Sequence, residues 1–102
     1  MSVIEEFVKV NLSEAAVWEQ MAEEAAELAA ASSKVARILR GENPTPITEA
    51  VAKECAAAEY NDVLNVAGVL DLKGDSTIQH FKMLRWHDRL QEKAAAREER
   101  RF

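Results

Sequence analysis

Between Ser13 and Arg40, Val17, Met21, Leu28, Ala31, Val35 and Ile38 recur at helical spacing. That spacing sets them on one stripe of an α-helix. Ser13 offers an N-cap, and Glu14 an acid in the first turn, where the helix dipole favours negative charge. Arg37, Arg40 and Gly41 mark the end: base in the last turn, glycine just beyond. Ahead of this helix, Ser2 caps a short one over residues 2–10, with Val3, Phe7 and Val10 on one side and Asn11 interrupting it. After it, Pro44 and Pro46 make a loop of Glu42–Pro46.

A second long helix is expected from about Pro46 to Leu72, capped by Thr45 or by Thr48 and ended by Gly74. Two neighbouring rows run along it. One holds Val51, Cys55, Ala58, Asp62, Asn65 and Val69; the other holds Ala56, Glu59, Val63, Val66 and Leu70. Both are apolar except at Glu59, Asp62 and Asn65. Cys55, among alanines, reads as a small buried packing residue. Gly68 lowers helix propensity but allows another helix or a ligand to approach. Asp75 or Ser76 caps a third long helix, from about Thr77 into the nineties. Its Ile78, Phe81, Leu84 and Leu90 offer apolar contacts, with Lys82, Arg85, Arg89 and Lys93 on other faces. From Glu92 to Arg101, charges mix with alanines, the pattern of a solvated helix end that frays.

The expected fold is all-α: a short N-terminal helix plus three long helices, in one domain over residues 1–102. Its core spans about residues 13–90, followed by a charged tail from 91. A chain of 102 residues buries only a limited core. A homodimer or homotetramer is therefore expected to complete the bundle. Composition agrees: Ala, Glu, Leu, Lys and Arg dominate, with three Gly and two Pro. The net charge of -5 speaks against a dedicated nucleic-acid binder. Small phosphorylated ligands stay open, because a metal can supply positive charge. The single cysteine cannot form an internal disulfide and fits a reducing compartment. No stretch is long and apolar enough to span a membrane, and a cytoplasmic location is expected.

Acidic residues break the pattern. Glu24 falls on the first long helix's apolar stripe, between Met21 and Leu28, and Glu27 flanks it one turn on. Glu23 is rotated away by about one hundred degrees. Glu59 and Asp62 repeat the three-residue spacing on the next long helix, so each pair projects from one face. Antiparallel packing, which the short loop favours, lets four carboxylates meet. Without a cation such a cluster repels itself. Mg²⁺ or Mn²⁺ takes oxygen ligands of this kind. Either acidic pair alone is also the ordinary pattern of a solvated helix face. His80 and His87 lack the Glu-x-x-His spacing of di-iron bundles.

Glu23-Glu24-x-x-Glu27 followed by Glu59-x-x-Asp62 resembles the MazG-like branch of the all-α nucleoside triphosphate pyrophosphohydrolases. So do Trp18, Glu27-Leu28, Asp62-Val63-Leu64-Asn65 and Lys82-x-x-Arg85-Trp86 around them. The resemblance covers roughly residues 13–90. It implies Mg²⁺-dependent cleavage of a nucleotide between its α- and β-phosphates, giving a monophosphate and pyrophosphate. By that resemblance Glu24, Glu27, Glu59 and Asp62 hold the metal, and Glu23, with Glu24, serves catalysis as an outer group or base. Lys82, Arg85 and Asn65 would contact the phosphates or sugar, and Trp18 or Trp86 would stack on the base. Each also has a plainer role, as solvated basic face, buried polar pair or packing aromatic. Cys55 departs from the pattern, standing where some members carry a basic residue. Phosphoribosyl-ATP pyrophosphohydrolase, on the same scaffold, and a non-catalytic helical interaction module are the alternatives.

Overall fold

In a computed structural model, which describes residues 2–42 and 46–101, four helices follow one another. They are α1 (Val3–Asn11), α2 (Glu14–Leu39), α3 (Glu49–Leu70) and α4 (Ser76–Arg101). No strand occurs among the described residues. Each helix begins where a side-chain oxygen can take an otherwise unpaired amide. Ser2 Oγ accepts from the Glu5 amide and Ser13 Oγ from the Ala16 amide, both at 3.1 Å. Thr48 Oγ1 accepts from the Val51 amide at 3.2 Å. Asp75 Oδ1 accepts from Thr77 and Ile78, at 2.9 and 3.0 Å.

The ends of α2 and α3 are set by left-handed residues, whereas α1 ends in extended backbone at Leu12. Gly41, at φ 72°, follows α2. The Gly41 and Glu42 amides donate back to the Ile38 and Arg37 carbonyls, closing a Schellman turn. At the end of α3 the sequence-based boundary moves. The left-handed residue is Asp71, at φ 54°, rather than Gly74, with Leu72 donating to Ala67. Asp tolerates this conformation better than most side chains, so no glycine is needed. The start of α3 also moves, from about Pro46 to Glu49, because Thr48 is the cap. Thr45, the other cap candidate, lies outside the described residues.

The chain divides into two compact units, residues 1–72 and 73–102. In the first, α2 packs on α3 and α1 packs on α3. Val17, early in α2, shares a cleft with Val69 and Leu70, late in α3. Further along α2, Glu24 and Glu27 meet Glu59 and Asp62. Residue numbers therefore run in opposite senses, and the pair is antiparallel.

Val17, Ala52 and Val69 are buried, and no other described residue is. Around them the expected α2 stripe (Met21, Leu28, Ala31, Val35 and Ile38) is half-buried. On α3 only one of the two apolar rows faces inward: Ala56, Glu59, Val63, Val66 and Leu70 are half-buried. In the other row Val51, Cys55, Ala58, Asp62 and Asn65 are exposed, and Val69 alone is buried. Cys55 is thus not a packing residue. A helix against one principal neighbour buries a single stripe, and the adjacent row turns outward. At Gly68 the α1 residue Glu5 comes close: a Cβ there would stand 3.7 Å from the Glu5 carboxylate, an ordinary contact.

The second unit is built on α4, whose described residues are all exposed. Helical structure continues through Arg101. No helix among the described residues is long and apolar enough to cross a membrane.

Candidate metal centre

One carboxylate oxygen from each of Glu24, Glu27, Glu59 and Asp62 can be chosen so that all four lie within 4.8 Å of one another. Helical spacing supplies each pair, and antiparallel packing brings the pairs face to face. The four are not equivalent. Glu24 and Glu59 are half-buried on the apolar seam, whereas Glu27 and Asp62 are exposed beside them. The result is a cup with two inner and two outer carboxylates.

Its inner surface is short of donors. Glu24 Oε2 and Glu59 Oε2 are both buried and neither has a hydrogen-bond partner. A buried carboxylate oxygen left this way is costly, since its water has been removed and nothing replaces it. Glu24 Oε1 is served by Gln20 Nε2, which donates over 2.7 Å from one turn earlier. Sequence reasoning did not single out Gln20; its four-residue spacing from Glu24 is the signal that could have found it.

Protonation shows the same strain. Glu27 keeps its proton up to about 7, against an ordinary 4.5. The adjacent Glu24 charge is the largest cause, followed by the hydrogen bond shared with Glu24, partial loss of water, and then Glu59. Because Glu27 is exposed, repulsion and proton sharing outweigh burial.

The donor set fits a hard divalent cation. All four groups offer oxygen, and two buried oxygens lack any other partner. Opposite ligands of a Mg²⁺ shell stand about 4.2 Å apart, twice a metal–oxygen bond of about 2.1 Å. The clustering within 4.8 Å is close to that scale.

The remaining candidates are not among these four. Glu23 is exposed and is not one of the four. Asn65 is exposed and lines a groove with residues of α1, α2 and α3, Gln20 among them. Trp18 is exposed beside a smaller cleft with Lys9, Glu14 and Val69. In the second unit Lys82 and Arg85 share a shallow basic recess with Arg89. Trp86 lies in a separate recess with Ile78, Lys82 and Met83. His87 contacts its neighbour Asp88 at 3.2 Å. Neither His80 nor His87 belongs to the acidic group.

No family model, no curated protein and no solved structure matches the chain. The resemblance to MazG-like enzymes therefore stands on its motif residues alone.

Proposed function

We propose that this protein is a Mg²⁺-dependent nucleotide pyrophosphohydrolase of the MazG-like kind, with Mn²⁺ as an alternative cation. The observation that carries this reading is the convergence of Glu24, Glu27, Glu59 and Asp62 from two antiparallel helices, with two buried carboxylate oxygens unpartnered. A bare acidic cluster has no structural use on an apolar seam, but it holds a cation well.

In this reading Glu24, Glu27, Glu59 and Asp62 would hold the cation, the first and third from half-buried positions and the other two from exposed ones. Gln20 fixes the Glu24 carboxylate for that task. A cation held by these four residues would neutralise phosphate charge and make the attacking water more acidic. One water is consumed, the bridging P–O bond between the α- and β-phosphates breaks, and the products are a monophosphate, pyrophosphate and a proton. Glu23, exposed next to Glu24, is the carboxylate assigned to receive that proton. The family resemblance alone offers Lys82 and Arg85, on α4, as charge-assisted donors to phosphate. Asn65, which lines the groove beside α1, is assigned to the sugar or a phosphate; Trp18 and Trp86 are the stacking residues that the family resemblance alone offers.

We further propose that the working form is a homodimer or homotetramer. Among the described residues three are buried, which is a small core. Val3, Ile4, Phe7 and Val10 of α1 and Ile78, Phe81, Trp86 and Leu90 of α4 remain exposed. A second copy covering such surface completes the bundle. The same exposed residues favour a second reading, a non-catalytic helical interaction module whose acids bind a cation without turnover.

The test is incubation with Mg²⁺ and a panel of nucleotides, with detection of pyrophosphate and monophosphate. Glu24→Gln and Asp62→Asn should each abolish turnover. Turnover that survives both removes these acids from the mechanism. Absence of turnover with cation binding intact selects the interaction module. Phosphoribosyl-ATP as sole substrate selects the biosynthetic enzyme.

A further inference from the structure

A groove of about 520 Å³ runs between α1 and the α2–α3 pair. Its walls are mostly apolar: Ile4, Val8 and Leu12 face Val17, Leu64 and Val69. Volume and lining are those of a small-molecule pocket, in which a few polar groups fix orientation. Two of those groups matter here. Gln20 lines the groove and also donates to Glu24 Oε1 over 2.7 Å, so the groove opens one helical turn from the acidic cup. Glu5 is half-buried on the α1 side, its carboxylate lying over Gly68, where α3 has no side chain. That carboxylate accepts no hydrogen bond from any described residue.

We infer that this groove, which neither Trp18 nor Trp86 lines, receives the nucleoside part of the substrate in place of a tryptophan stack, and that Glu5 selects bases carrying an exocyclic amino group. The inference rests on the nucleotide reading of the acidic cup. An occupant must match an apolar slot with one anionic acceptor in its wall and a cation site one turn away. A nucleoside does so: its flat base is apolar on both faces, and its sugar leads from the base to the phosphates. The charge complementarity is specific. A carboxylate only accepts, so it pairs with N–H donors. Guanine offers an amino group beside a ring N–H, and cytosine and adenine offer an amino group. Thymine and uracil flank their single N–H with two carbonyl oxygens, which a carboxylate repels. Discrimination of this type is strong because the wrong base leaves a half-buried acceptor unpaired.

The experiment uses the full chain and 2′-deoxynucleosides, which have no phosphate and need no cation. Two-dimensional NMR follows the amides during titration with deoxyguanosine, deoxycytidine, deoxyadenosine and thymidine. Shifts should concentrate at Glu5, Val8, Gln20 and Gly68, with the amino-bearing nucleosides binding about tenfold tighter than thymidine. Glu5→Gln, which presents both donor and acceptor, should bring the ratio to within about twofold. Val8→Trp, with helicity checked by circular dichroism, should fill the groove and weaken all four. Shifts outside the groove, no binding, or a ratio unchanged in Glu5→Gln would each overturn the inference. Turnover is not read, so the two proposals fail separately. Groove binding in a chain that hydrolyses no nucleotide sinks only the catalytic reading. Hydrolysis without groove binding sinks only this one.

Discussion

Gln20 Nε2 donates to Glu24 Oε1 over 2.7 Å. The bond ties the groove beside α1 to the inner wall of the acidic cup, because Gln20 belongs to both. It also turns the other Glu24 oxygen inward, where no donor meets it. Groups that orient a metal-binding carboxylate typically matter about 10–100-fold in affinity. Gln20→Ala is therefore expected to weaken Mg²⁺ or Mn²⁺ binding about tenfold. Isothermal titration on folded protein checks this. Unchanged affinity would mean that Gln20 does not position Glu24.

Glu24→Leu separates repulsion from structural pairing. The substitution removes a charge from an apolar seam already crowded by Glu27 and Glu59. Without cation, the melting temperature should hold or rise. Addition of Mg²⁺ should raise it for the native chain, since binding to the folded state alone adds stability. For Glu24→Leu that rise should vanish. A sharp loss of stability in the cation-free variant would show instead that Glu24 is structurally paired.

The raised pKa of Glu27 fixes a direction in pH. Between 4.5, its ordinary value, and about 7, its value in the fold, the folded chain binds more proton than the unfolded one. Its contribution to stability is therefore full below 4.5 and is lost as pH rises through about 7. Cation-free thermal melts up to pH about 8 should show this decline, and Glu27→Gln should flatten it. With Mg²⁺ present the decline should shrink, because the cation takes over the role of the proton. A native chain and Glu27→Gln with parallel pH profiles would contradict the assignment.

Gly41 tests the α2 terminus apart from any chemistry. It holds φ 72° in the Schellman turn, and a Cβ there would meet nothing within 4 Å. Gly41→Ala should thus cost about 1 kcal/mol through the backbone alone. A chemical-denaturation midpoint that falls with unchanged slope would register it. No change at all would mean that the turn is not held in the native ensemble.

Periodicity and capping chemistry determined most of the helical order. Ser2, Ser13 and Asp75 marked helix starts because a hydroxyl or carboxylate next to an apolar-periodic run can take a free amide, a local effect. The α2 stripe with Glu24 on its seam was legible for the same reason: it depends only on the turn angle of one helix. The three-residue spacing of each acidic pair likewise depended on one helix at a time.

Choices between equivalent local patterns belonged to tertiary structure. Both rows of α3 are apolar, so sequence left Cys55 and Asp62 as eligible for burial as Ala56 and Glu59. Packing against α2 buried the second row and turned the first to solvent. Thr48 and Asp71, at the two ends of α3, likewise took roles that the sequence offered elsewhere as well. Most of all, the meeting of Glu24 and Glu27 with Glu59 and Asp62 needed the antiparallel register of two helices, set by side chains far apart in the chain. Helical spacing determines which face a residue occupies. Only the partner that covers a face decides whether its charges stand in water or against one another.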